Sequence, residues 1–523
     1  MSDPDDDDED GRSREARVVE GINDAPELPP IESPDELPYG QWDGDVDSYC
    51  AWRTLNDLGN ARRLQARFGQ DCCSVHGLGW HAWHEGRWNR EDGEDRAQVA
   101  AQNTANAIRG ESRKLMGEHP ERAKALLTHA RRSGSSWAIS AMLREARPHL
   151  NVPLAALDAR PELANVKNGT MELDRDLRCR PHRREDYLTK LMPIRYDPDA
   201  GFPVFREFLA TILPNVRVRE FLQRWFGYCV TGYTHEQLIV MFHGAGANGK
   251  STLLDTLRFV MGDYVQILPF ASLLQDDRKR GSEPSPDIAR LPGVRLVTAS
   301  EPELGRAFSE AVIKTLTGES TILARHLREG FFEFAPQFKL VVSCNNRPKV
   351  RGQDEGTWRR LLLVPFDQTI PPEERDKRLL QRLRAEAPGV LNWLLEGARL
   401  YLADGLNIPG EVRAATSDYR IESDPLRPFL SEWCVRGPGV GNVRAKRLYR
   451  AYVLWCDEQA RDPISQTRFG LSLGDMGVAK WLSNGVYYLD IALNEMAAAI
   501  VEADDARRNE HGGHRAAVPA ENG

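Results

Sequence analysis

The sequence contains no run of 18 apolar residues, so no segment is long enough to cross a bilayer as a helix. Its first ten residues, Met-Ser-Asp-Pro-Asp-Asp-Asp-Asp-Glu-Asp, are acidic and unlike a signal peptide, which argues against a membrane or secreted role. Cysteine is sparse: eight in 523 residues, at positions 50, 72, 73, 179, 229, 344, 434 and 456. None falls in a C-x-x-C pair and no His/Cys cluster has zinc-ligand spacing, so reduced thiols of a cytoplasmic protein are expected. A positive net charge is also missing, the total being −8. That total hides an asymmetry, because residues 1–50 hold 17 Asp/Glu against 3 Lys/Arg and the remaining chain is net +6. The body of the chain is therefore compatible with a nucleic-acid partner.

What is present is concentrated at Gly244, Ala245, Gly246, Ala247, Asn248, Gly249, Lys250, Ser251 and Thr252, a match to G-x-x-x-x-G-K-[ST]. The apolar Gln237–His243 before it predicts a buried strand, and Ser251–Met261 after it has helical spacing. Strand, glycine loop and helix is the context of a phosphate-binding loop. Glycines let backbone N–H groups turn onto a phosphate, and the helix N-terminus favours negative charge. Lys250 is expected to reach the β- and γ-phosphates of ATP, and Ser251 to hold Mg²⁺.

Three downstream segments narrow this. Gly293–Glu303 predicts a strand ending in acid, with Glu301 placed to meet Mg²⁺ and the attacking water and Glu303 as the second candidate. Phe334–Pro348 predicts another buried strand with Asn345 at its C-terminal end, where an amide can orient water without adding charge. Arg359 and Arg360 precede a last strand, and one of them can act as an arginine finger on a neighbouring subunit's nucleotide.

The chain divides by pattern into an acidic disordered leader (1–44), an α/β accessory domain (45–199), the ATPase region (200–404), a small C-terminal unit (420–495) and a disordered polar tail (503–523). A helix is expected over Asn56–Phe68 and further helices over about 95–150. Trp80–Trp88 predicts a hairpin turning at Glu85-Gly86, whose three tryptophans fit a core better than base stacking. Asn165–Leu173 predicts a second hairpin turning at Asn168-Gly169. A helical segment is expected over about 374–404.

In order along the chain, the loop, Ser300-Glu-Pro-Glu, Leu316-Thr-Gly-Glu-Ser-Thr-Ile-Leu-Ala-Arg-His-Leu, Ser343-Cys-Asn-Asn-Arg-Pro and Asp354-Glu-Gly-Thr-Trp-Arg-Arg-Leu resemble superfamily 3 helicases. The nearer resemblance is to the phage/plasmid primase-helicase family shared with poxvirus replicative NTPases, and it runs from about 45 to 495. It implies a P-loop NTPase core of AAA+-like, superfamily 3 type, in a hexameric ring in the host bacterium's cytoplasm. Lys250, Ser251 and Thr252 would bind nucleotide and Mg²⁺, Glu301 would polarise water, Asn345 would be the sensor, and Arg359 or Arg360 the finger. Lys314 and Arg325 match the motif between the acidic strand and the sensor. Arg325–Phe334 would be a hairpin in the ring channel, where Arg325, His326 and Arg328 grip DNA phosphates. One departure is that Pro302 splits two acids that are adjacent in many members. The helix Val443–Asp457, Ser465–Met476 and Gly485–Asp490 resemble a winged helix, with Ser465 capping the recognition helix and Arg468 facing DNA.

These features point to an ATP-dependent helicase acting on single-stranded and forked DNA in replication of a phage, plasmid or integrated element, with priming left to a separate protein. A bifunctional primase-helicase and an ATP-switched origin-binding loader are the alternatives. For the first alternative the only acids in view are those of Asp43-Gly-Asp-Val-Asp, which have no clear strand around them.

Overall fold

A computed structural model of the chain describes residues 45–274, 286–300, 308–325, 330–348, 350, 355–424 and 426–512. The acidic leader, Glu301, Glu303, His326 and Arg328 lie outside the described residues. Two units divide the chain: residues 45–74 with 94–151, and residues 75–93 with 152–512. The expected accessory domain of 45–199 is therefore split between them.

The first unit is helical. Asn56 caps Asp57–Phe68 by accepting from Gly59 N at 2.9 Å, and the helices Pro120–Ser133 and Ser136–Ala146 follow as expected. Ala51, Ile108, Leu115, Ala123, Leu126 and Ala130 form its apolar core. Within it Arg63 meets Glu111 at 2.8 Å with neither side chain exposed, and donates to the carbonyls of Thr54 and Cys50. A buried pair survives only when its remaining donors are satisfied in this way. Asp45 caps the helix Val46–Ala51 and Asp47 pairs with Arg67 at 2.6 Å, so these two acids have structural partners.

The second unit is built on a parallel sheet. Helix α1 (Val216–Val230) precedes β1 (Ile239–His243), α2 (Lys250–Met261), β2 (Val265–Ile267) and β3 (Leu296–Ser300). Then come α3 (Glu310–Gly318), β4 (Ile322–Arg325), β5 (Phe331–Phe334), β6 (Lys339–Cys344), β7 (Leu361–Pro365) and α4 (Ala387–Asp404). The strand order is β7-β1-β6-β3-β2, every neighbouring pair parallel. β6 is buried at all six positions and β1 at four of five, the pattern of strands covered on both faces. The expected helix over 374–404 is two helices, Leu379–Ala385 and α4. Between them the Glu386 carboxylate accepts from Val204 N and Phe205 N, each at 2.9 Å, at the start of the helix Pro203–Ile212.

Residues 75–93 and 152–199 belong to this unit because their polar groups are satisfied there. Arg295, fully buried, donates to Leu163 O at 2.7 Å and Val230 O at 2.6 Å, and Asn165 N donates to Tyr264 Oη at 3.0 Å. The tryptophan hairpin forms in the expected register, Trp83 opposite Trp88, with Glu85 and Gly86 both at positive φ. Trp80 and Trp88 are buried, as a core role requires. The second hairpin turns one residue earlier than expected: Val166 pairs with Gly169, so Lys167-Asn168 is the loop. Gly169 is there for closeness rather than for the turn, since a Cβ on it would lie 2.5 Å from Arg180 O of the third strand.

α1 and α4 pack at glycine. A Cβ on Gly227 would sit 2.0 Å from Ala398 N, and one on Gly397 2.0 Å from Gln223 O. Gly227→Ala is therefore expected to destabilise the chain by about 1–3 kcal/mol, read as a lowered thermal midpoint. An unchanged midpoint would mean the helices have room to separate.

The C-terminal part has its own core of Leu426, Phe429, Trp433, Leu448, Tyr452, Trp455, Phe469 and Tyr488. It contains β8 (Val443–Arg444), α5 (Ala445–Glu458), α6 (Gln466–Asp475), β9 (Lys480–Leu482), β10 (Val486–Tyr488) and α7 (Glu495–Gly512). The core runs past the expected boundary at 495, because Ala497 and Val501 of α7 are buried in it. Residues 503–512, expected to be disordered, are helical, and there Asp504 pairs with Arg450. Residues 513–523 of the expected tail lie outside the described residues.

Candidate functional site

The glycine loop leaves the C-terminal end of β1 in the middle of the sheet. Gly249 has φ +81°, a conformation that suits glycine, and a Cβ there would meet Ile212 Cγ2 at 2.5 Å. Ala247 is also left-handed, at φ +59°, and its carbonyl accepts from Ile370 N at 2.9 Å. Asn248 Nδ2 donates to Phe366 O at 3.2 Å. The loop is thus shaped from behind by the segment that follows β7. Ala245, Gly246 and Ala247 are exposed. The N–H groups of 245–248 make no hydrogen bond to any other described residue.

Lys250 opens α2 and is 4% exposed. Its Nζ donates to Gly244 O at 2.7 Å, Asn248 Oδ1 at 3.0 Å and Asn345 Oδ1 at 3.2 Å. Burial holds this ammonium below the usual lysine range, and it also depresses the His243 imidazole, with Arg347 and Lys250 adding to it. Asn345 reaches Lys250 because β6 lies beside β1 with Cys344 opposite His243. Both strands therefore end at the same level. β3 ends there too, with Ser300 opposite Ser343; Glu301 and Glu303 lie outside the described residues. Ser251 is exposed in the first turn of α2. Backbone donors without a partner among the described residues, a helix N-terminus and a partly desolvated ammonium at one sheet edge make a place that attracts an anion.

The arginine pair stands at the other end of the same strands. Ile239 N donates to Arg360 O at 2.7 Å where β1 and β7 begin. Arg360 is buried at 8% exposure and donates to Thr317 Oγ1 at 3.1 Å, Gly356 O and Gln237 Oε1. Arg359 is exposed and touches Gln237 Oε1 at 3.4 Å. β1 is five residues long, so about 16 Å of strand separates this pair from the loop. Gln237, at φ +55°, is a partner that the sequence pattern gave no means of choosing.

The basic residues between these motifs are only partly assembled. Lys314 is half-buried on α3, and Arg325 ends β4 with its guanidinium 5.2 Å from the Phe331 ring. The hairpin starts three residues earlier than expected, β4 and β5 pairing Ile322 with Phe334 and Arg325 with Phe331. Ser465 caps α6 as expected, accepting from Arg468 N at 3.3 Å. The Arg468 guanidinium, however, lies 3.8 Å from Glu310 at the start of α3, so it has an ionic partner within the chain.

Residues 61–214 match the D5 N terminal like domain family. The chain is similar to proteins named as helicases in Acanthamoeba polyphaga mimivirus (29% identity, 54% of this chain, 32% of the relative) and Frog virus 3 (27% identity, 47% and 27%). It is also 24% identical to a protein named as a primase in African swine fever virus, over 58% of this chain and 34% of that one. The matched domain and these helicase- and primase-named relatives support a place for the chain in the primase-helicase family. The chain spans about a third of the length of the curated relatives it matches. Among solved structures, two of the NrS-1 C-terminal region resemble it with TM-scores of 0.34 and 0.35. They show 14% and 10% identity, cover 50% and 58% of this chain, and have 58% and 78% of their own length covered. The relatives named here are viral, which gives no support to the expected bacterial phage or plasmid setting. No helix among the described residues is long and apolar enough to cross a membrane.

Proposed function

We propose that this chain is an ATP-dependent DNA helicase that serves the replication of a viral or other mobile replicon. The observation that carries the proposal is the meeting of Lys250 and Asn345, 3.2 Å apart, at the end of two adjacent parallel strands and directly after the glycine loop. The loop backbone would wrap the phosphates of ATP, and Lys250 would exchange its contacts to Gly244 O and Asn345 Oδ1 for the β- and γ-phosphate oxygens. That exchange would release the Asn345 amide to orient the attacking water. Mg²⁺ would neutralise phosphate charge, and Ser251, with its hydroxyl open beside Lys250, is the described residue suited to hold it.

The Arg pair lies too far from the loop to serve the nucleotide of its own chain. A hexameric ring would bring one subunit's Arg359 to the next subunit's ATP, so that hydrolysis alters the subunit junction. α3 and the β4–β5 hairpin follow directly from that junction through the Arg360–Thr317 bond, which supports Lys314 and Arg325 as DNA contacts, with His326 and Arg328 joined to them from the sequence. α5, α6 and the β9–β10 hairpin support a winged-helix-like C-terminal unit. Strand displacement on a forked substrate is expected from the purified chain with ATP and to be lost with Lys250→Ala. Displacement that survives this substitution would refute the proposal. The relative named as a primase favours a second reading, a chain that also primes, and primer synthesis on a single-stranded template decides it.

A further inference from the structure

In the C-terminal sheet, Arg444 of β8 lies opposite Tyr487 of β10, and Tyr487 lies opposite Trp481 of β9. Residues opposite one another in antiparallel strands share a face, so this face carries a cation and two aromatic rings in one row. The neighbouring row, Val443 and Tyr488, is buried in the core, which turns the Arg444 row outward. Trp481 is 52% exposed, with its ring 6.0 Å from that of Tyr487. At the hairpin end Arg444 donates to Asn484 O at 3.4 Å. Gly485, at φ +139°, leaves room for that guanidinium, since a Cβ there would lie 3.2 Å from Arg444 Nε.

The row borders an open groove of about 660 Å³ lined by Arg444, Lys446, Arg447, Arg450 and Tyr487. Residues 443–450 and 480–487, which build the face, hold five Lys/Arg and no Asp/Glu. Acids approach from α7, where Glu502 meets Arg447 at 2.8 Å, Asp504 pairs with Arg450, and Asp505 lines the groove. Arg444 and Lys446 are exposed at its other side. Flat rings set among cations suit unpaired bases joined by phosphates, because a ring can stack on any base and the charge follows the backbone. A duplex offers no free base faces along its length.

We propose that this face of the C-terminal sheet binds single-stranded nucleic acid, with bases stacked on Tyr487 and Trp481 and phosphates held by Arg444 and Lys446. The site rests on the DNA-binding part of the proposed function and not on ATP hydrolysis. It differs from the α6 surface expected from the sequence, whose Arg468 already faces Glu310.

Fluorescence anisotropy of a labelled oligothymidine with the full chain, without nucleotide, tests it. Trp481→Ala and Tyr487→Ala should each weaken binding about tenfold, and Trp481→Phe should retain affinity. Arg444→Ala should reduce the slope of log K against log salt by about 0.7. The same results are expected in a Lys250→Ala background, which separates this site from the nucleotide site. Unchanged affinity in Trp481→Ala with an unchanged thermal midpoint would overturn the proposal. So would an equal loss for duplex DNA, or a change in sedimentation without loss of oligonucleotide affinity, which would make the face a subunit contact.

Discussion

Lys250→Ala is expected to lower ATP turnover by about 10²–10³-fold while leaving the thermal midpoint unchanged or raised. Under the proposed function the catalytic loss follows from removing a cation at the point where charge develops on the transferred phosphoryl group. The neutral effect on stability follows from the site itself. Lys250 is buried against three neutral oxygens, from Gly244, Asn248 and Asn345, and burial draws its pKa down. A lysine depressed in this way costs the folded state free energy whenever it is charged, so deleting the charge relieves a penalty that offsets the donor lost to Gly244, Asn248 and Asn345. Under the proposed function this ammonium is held for the nucleotide. Turnover at the wild-type rate would show that the loop is not the nucleotide site.

The two arginines are expected to separate cleanly. Arg359→Ala should reduce turnover about 10³-fold with little change in stability, as expected for an exposed finger acting on a neighbour's nucleotide. Arg360→Ala should instead destabilise the chain by about 2–3 kcal/mol, because Thr317, Gly356 O and Gln237 would lose their donor in a buried place. Mixing Lys250→Ala and Arg359→Ala chains supplies the decisive readout. Some junctions then combine an intact loop from one chain with an intact Arg359 from the other, and partial recovery of turnover is expected. No recovery from the mixture would argue that Arg359 does not act between subunits.

Much of this site is legible along the chain because its parts are local. The strand before the loop, the glycine pattern and the helix after it occupy 239–261 without interruption, and each follows from side-chain periodicity and backbone freedom. Asn345 is readable because it directly follows a run of buried β-formers. Other placements depend on distant neighbours. Gly169 looks like a turn glycine beside Asn168, yet its need arises from Arg180, eleven residues on. The fate of 152–199 is set by acceptors waiting for Arg295 and by Tyr264, and that of 75–93 by the pairing of Arg87 with Asp263, which no boundary in composition reveals.

By itself the sequence determined the strand–loop–helix with Lys250 at its hinge, the strand that delivers Asn345, and the presence of an arginine pair before β7. Those are consequences of local pattern. The tertiary structure alone decided which arginine is exposed and where the pair stands. Arg360 enters the ladder beside Ile239 and turns its guanidinium into a pocket formed by Thr317, Gly356 and Gln237, leaving Arg359 exposed. It also decided that the outward row of the C-terminal sheet joins Arg444, Tyr487 and Trp481, residues up to 43 positions apart that only strand register brings side by side.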